Sequence, residues 1–203
     1  MLSTRWPRGT DRSASSALRW AGGCLATAAL LSIAGCVPST AEPAVTPTAT
    51  ASAAAPVFAS DEEALAAATA AYAEYLRVSD EIAAAGGQGV EALTPHVDPK
   101  FLDQSSAGFE IYRERGISAA GVSTFDSVSL QSLSESNGTT EVIVHVCLDV
   151  SAVRIIDSSG RDVTSATRRT RAPLEVEFHA SEATSQPIIV RSDLWAGDDY
   201  CAT

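Results

Sequence analysis

Apolar positions in this chain change period twice, and the changes divide it into segments. Residues 20–35 form an uninterrupted uncharged run. Residues 37–59 carry almost no bulky apolar groups. From Ser60 the period is helical, with Leu65, Ala68, Tyr72, Leu76 and Ile82 falling on one face. Ser60 and Glu63 make a capping box, Asp61 to Glu63 suit the positive end of the helix dipole, and Gly86-Gly87 stops it. A short helical piece is expected around 90–97. Asp98-Pro99 is a cap followed by a first-turn proline, opening a helix with Phe101, Leu102, Ser105, Phe109 and Tyr112 on one side and Gly116 at its end.

After Gly116 the period becomes two. The pattern predicts strands over 122–133, 140–157, 174–180 and 188–195, with a hairpin turn at Asn137-Gly138 and another turn at Ser158-Ser159-Gly160. Along the second strand Val142, Val144, Val146, Leu148 and Val150 share one face. Glu141, Ile143, His145, Cys147 and Asp149 share the other, as expected for a half-buried antiparallel strand. Helices first and strands after make an α+β layer fold, with the helices on one face of a curved four-stranded antiparallel sheet.

The first 19 residues hold Arg5, Arg8, Arg12 and Arg19 against Asp11 alone. A basic start, a short apolar core and small residues after it form a secretory signal. The core is shorter than the roughly 20 residues of a transmembrane helix, and the flanking positive charge keeps the start inside and sends the rest out. Leu31-Ser32-Ile33-Ala34-Gly35-Cys36 resembles the lipobox of bacterial lipoproteins. That resemblance implies cleavage before Cys36, two or three acyl chains on it, and residence on the extracytoplasmic face of a cell membrane. Ala21-Gly22-Gly23-Cys24 is a rival, but no apolar core precedes it. The domain plan is a signal over 1–35, a lipidated Cys36 with a Pro/Thr/Ala-rich tether over 36–59, and a folded domain over 60–203. As a flexible coil the tether reaches roughly 25–30 Å. Thr40, Thr46, Thr48 and Thr50 beside prolines leave O-glycosylation open.

Charge and cysteine usage narrow the function. The whole chain carries −11; four Arg and one Asp leave with the signal, so ten basic groups face 24 acids in the remainder, a net −14. Nucleic acid is excluded as a partner on that balance. Cys24 lies in the signal and Cys36 takes the lipid, leaving Cys147 and Cys201, an even pair that reads as a structural disulfide in an exported domain. A redox pair is the other reading, but it lacks the Cys-x-x-Cys spacing.

The order of elements resembles the cone of the nuclear-transport-factor-2-like (NTF2-like, cystatin-like) domains, which include ketosteroid isomerase relatives. The stretches Tyr72-Ala73-Glu74-Tyr75-Leu76, Phe101-Leu102, Phe109-Glu110-Ile111-Tyr112 and Val146-Cys147-Leu148-Asp149-Val150, with Trp195 and Cys201, are also similar to a group of actinobacterial lipoproteins of unknown function. The cone implies a mouth that Tyr72, Tyr75, Tyr112 and His96 would line; the simpler reading makes the tyrosines core aromatics with hydroxyls at the rim. Isomerases of this kind pair a carboxylate base with a Tyr-plus-acid oxyanion site, and no such set matches here residue by residue.

Elsewhere the chemistry is sparse. His145 and Asp149 lie about 13 Å apart along a strand. His96, His145 and His179 have no zinc-like spacing, so no metal and no cofactor is expected. Neither a nucleophile elbow nor a phosphate loop occurs. Arg168, Arg169 and Arg171 cluster in an acidic chain and are candidates for clasping a carboxylate or phosphate, or else a solvated loop. The expectation is a lipid-anchored, non-enzymatic envelope protein that binds a protein, a cell-wall polymer or a small ligand. The alternative is a carrier or enzyme using the cone pocket. A third possibility is an interaction module using the sheet face around His145 and Glu177.

Overall fold

The computed structural model describes residues 56–181, 184–196 and 200–202. Cys36 and the tether up to residue 55 lie outside them, and with them the signal, the lipid attachment and the glycosylation expectations. None of the described helices is long and apolar enough to cross a membrane.

Helix α1 spans Asp61–Ala84. Ser60 Oγ accepts from Glu63 N at 3.3 Å, while the Glu63 carboxylate accepts from Ala59 N at 2.7 Å, so the box closes one residue further out than the usual pattern. A short 3₁₀ turn, Val90–Leu93, leads to α2, Pro99–Arg115. Asp98 Oδ1 caps it by accepting from Phe101 N at 2.7 Å, and Gly116 ends it at φ 59°.

Six strands follow: β1 Ile117–Ala120, β2 Thr124–Ser136, β3 Thr139–Asp149, β4 Arg154–Asp157, β5 Arg171–Ser181 and β6 Thr184–Leu194. The main sheet runs β2-β3-β5-β6, antiparallel throughout, and β1 pairs with β4 in a separate ribbon. Asn137 (φ 52°) and Gly138 (φ 77°) make a two-residue turn between β2 and β3. Register shifts in β2 and at the β5–β6 pairing curve the sheet.

The inner face of the sheet carries Val142, Val144, Val146, Val176, Phe178 and Ile189. Against it lie the alanines of α1 (Ala64, Ala68, Ala71) with Tyr72 and Leu76. Small residues let α1 come close. Of the residues on α2 only Phe101 is fully buried, so that helix rides higher on the sheet.

Three expectations change. The strand drawn over 140–157 is two strands: Asp149 Oδ1 accepts from Ser151 N at 2.7 Å, and Val153 N donates to Val150 O at 3.1 Å, closing a turn. Gly121, at φ 98°, presses on that turn so closely that a Cβ would lie 2.3 Å from Ala152 O. Strand β1 was not anticipated, since Ile117–Ala120 is too short to show a period. The outer face of β3 is half-exposed at Glu141, Ile143 and Asp149, as expected, but covered at His145 and Cys147, which are buried.

Candidate functional site

What buries them is the C-terminal strap. Trp195 leaves β6 by donating its backbone N–H to Pro173 O at 3.0 Å. Its ring stacks on His145 with centroids 3.9 Å apart, and Tyr200 meets both rings edge-on. Tyr200 Oη hydrogen-bonds Ser129 Oγ at 2.9 Å, and donates to His145 O at 3.1 Å and to Ser127 O. A disulfide joins Cys147 to Cys201. The far side of His145 faces Glu175 (Nε2 to Oε2, 3.2 Å), whose other oxygen accepts from Arg191 Nη2 at 3.0 Å. These contacts, above all the Arg191 bond, hold the Glu175 carboxyl below its ordinary range. His145, one proposed centre of an interaction face, is thus filled in from above by the chain's own tail.

Further along that face Glu141, Glu177 and His179 bring potential ligand atoms within 4.8 Å of one another, a grouping that histidine spacing alone did not reveal. Arg191 Nε already donates to Glu177 Oε2 at 3.0 Å, so a cation is in place beside it.

The inner side is different. Between α1, α2 and the sheet opens a cleft of about 400 Å³, within the size range of small-molecule sites. Helix α1 supplies Tyr72, Tyr75, Ser79, Asp80 and Ala83, spaced as one helical stripe. Helix α2 supplies Phe101, Ser105, Phe109 and Tyr112, four or three residues apart. Leu148 and Leu174 reach it from the sheet. Rings pack along it, with Tyr75–Phe101 centroids at 5.9 Å and Phe109–Tyr112 at 6.1 Å. Tyr72 sits deepest, with its ring edge-on to Phe125 at 4.9 Å.

Burial pushes the hydroxyls of Tyr72, Tyr75 and Tyr112 above their ordinary pKa. Ser79 and Ser105 partly offset this at Tyr75, and at Tyr112 Arg168 lowers what the Asp80 charge raises. Ser79 Oγ is buried beside Tyr75 and meets no partner in hydrogen-bond geometry. Asp80 is anchored: its two oxygens accept from Ser123 N and Ser123 Oγ, both at 2.7 Å.

Of the residues singled out in the sequence, Tyr72 and Tyr112 lie together in this cleft. His96 does not line it; it is half-buried on the segment bridged to β6, where His96 O accepts from Ile189 N and Asp98 N donates to Ile189 O. The arginines are not gathered into one clasp. Arg171 spans Asp149 (2.8 Å) and Asp126 (3.0 Å), Arg168 donates to the carbonyls of Val150 and Val153, and Arg169 is exposed. Tyr75, also expected at the mouth, lines it too; Ser79 and Asp80 escaped notice, although their spacing from Tyr72 places them on its stripe.

No family model matches the chain, and no curated protein does. Among solved structures it is similar to the intermembrane space region of the chloroplast protein ARC6: 13% identity over 66% of this chain and 97% of that one, TM-score 0.48. An Rd1NTF2 variant shares 17% over 63% and 99%, with a TM-score of 0.29. A de novo designed β-sheet protein shares 15% over 66% and 88%, with a TM-score of 0.25. These are distant likenesses of fold and transfer no role.

Proposed function

We propose that this chain is a lipoprotein tethered through Cys36 to the outer face of a cell membrane, and that its folded domain is a non-enzymatic binding module whose helix–sheet cleft takes a small ligand. The address rests on the basic, apolar and small-residue sequence ending at Cys36. The binding reading rests on one observation: a cleft of about 400 Å³ lined by aromatic residues and an anchored carboxylate. The outer sheet face is the weaker candidate, because the strap covers His145 and Arg191 ties up Glu175 and Glu177.

Two experiments test this. Replacing Cys36→Ala and fractionating cells should abolish acyl labelling and membrane retention; unchanged labelling refutes the address. A thermal-shift screen of small metabolites on the full chain should yield ligands whose stabilisation is lost in Ser105→Trp, which puts an indole into the cleft. Ligands that stabilise both forms equally would place binding elsewhere.

A further inference from the structure

The cleft has a charge character that selects among small ligands. Its lining carries a single charged side chain, Asp80, among the described residues. Among those residues no cation lines the cleft: Arg77 pairs with Glu74 and Glu81, and Arg168, which donates to the carbonyls of Val150 and Val153, keeps its charge and acts on Tyr112 at the cleft's edge. Asp80 is therefore held in place by the neutral donors of Ser123 without being neutralised.

The same cleft is lined by the half-buried Tyr75, Phe109 and Tyr112, whose ring faces are the negative parts of their quadrupoles, while Tyr72 and Phe101 are buried in the core. An anion entering here meets the Asp80 carboxylate as like charge. A neutral apolar ligand strips water from a carboxylate and offers nothing in return. A substituted ammonium satisfies both: its charge faces Asp80 and the rings, and its alkyl groups pack on the aromatic surface.

Building on the reading that the cleft binds a small ligand, we infer that its ligand is a small organic ammonium ion, with Asp80 as counter-ion and the tyrosine and phenylalanine rings as its cage. Such an ion comes as a free solute or as part of a lipid headgroup. The phosphodiester beside a headgroup ammonium would face Asp80, so the free solute fits better.

The test uses the full chain in a maltoside detergent, titrated with choline and with dimethylbutanol, its neutral carbon isostere. Choline is expected to bind at least about tenfold more tightly, the order of a desolvated cation–π and ion-pair contribution. Asp80→Asn keeps an acceptor for Ser123 and should lower choline affinity about tenfold while leaving the isostere unchanged. Tyr112→Leu, at the cleft's half-buried edge, should weaken choline as well. The ranking of the two probes on the unaltered chain stands even if a variant fails to fold.

Equal or tighter binding of the isostere overturns the ammonium assignment and leaves the cleft reading intact. So does binding of other screened compounds when neither probe binds. Failure of every compound to bind overturns both. Glycerophosphocholine, tested alongside, should bind less tightly than choline; the opposite order overturns the free-solute part.

Discussion

Breaking the bridge between Cys147 and Cys201 is the most direct probe of how the outer face is sealed. Cys147 is fully buried in the middle of the sheet, and Cys201 ends the strap that covers His145. The two are 54 residues apart in sequence. Closing a loop of that length removes denatured-chain entropy worth about 4 kcal/mol at 25 °C. The strap's other contacts are the His145, Trp195 and Tyr200 ring contacts, the Tyr200 hydrogen bonds, and the bonds from Trp195 N to Pro173 O and from Arg171 Nε to Cys201 O, each contributing about 1 kcal/mol. Those do not hold a chain end in place once the covalent tie is gone, because ordering each strap residue costs a similar amount.

Cys201→Ala should therefore lower unfolding free energy by about 4 kcal/mol and move the urea midpoint down by more than about 1 M. It should also release the strap before global unfolding. Trp195 reports this directly. Trp6 and Trp20 precede Cys36, so in the form starting at Cys36 that the proposal requires, Trp195 is the single tryptophan. Its emission should shift to the red without denaturant in the variant, while far-UV circular dichroism stays native. Unfolding followed by the two probes should coincide in the parent and separate in the variant. A variant that keeps the parent's emission, and loses less than about 1 kcal/mol, would refute the claim that the covalent tie holds the strap.

Acid should weaken the fold between about pH 4 and pH 2. Asp149 is held near pKa 2 by the Ser151 hydroxyl and N–H and by Arg171, and Asp157 likewise by Ser159 and Arg161. A carboxyl with a depressed folded pKa contributes stability above its unfolded value and loses it as pH falls through the folded one. Thermal melts across that window should show the drop, and Arg171→Gln should make it shallower. At the other extreme, three of the four tyrosines (Tyr72, Tyr75, Tyr112) hold their protons more tightly folded than unfolded, so stability should fall as pH rises above 10. Absorbance near 295 nm should show Tyr72 and Tyr75 ionising only with unfolding and Tyr112 above the ordinary phenol range; four ionising freely in the folded chain near pH 10 would contradict their burial. Gly87→Ala should cost at least about 1–2 kcal/mol in denaturant titration, because φ is +83° and the new Cβ would fall 2.2 Å from Phe109 O. Ser60→Ala should cost about 1 kcal/mol, read the same way, through the lost cap on Glu63 N.

Local signals fixed much of the plan without tertiary information. Ser60 with Glu63, Asp98-Pro99 and Gly116 bounded both helices, because caps act on backbone groups within one turn. Asn137-Gly138 fixed the hairpin because few residue pairs tolerate two successive positive φ values. The stripe Phe101, Ser105, Phe109 and Tyr112 named one wall of the cleft before the cleft was seen. The pairing of Cys147 with Cys201 followed from there being two cysteines left to pair. Other features depended on contacts between distant segments. The turn at Asp149–Ser151 interrupts a run whose alternation continues unbroken in the letters, because an Asp side chain bonding two residues ahead leaves the hydrophobic period untouched. Burial of His145 needed a strap arriving from fifty residues away. Whether the tyrosines filled a core or lined a hollow depended on the height of α2 above the sheet. Helical period gives the direction in which a side chain points; only packing sets the distance to what lies opposite, and here alanines drew α1 down while α2 stayed up.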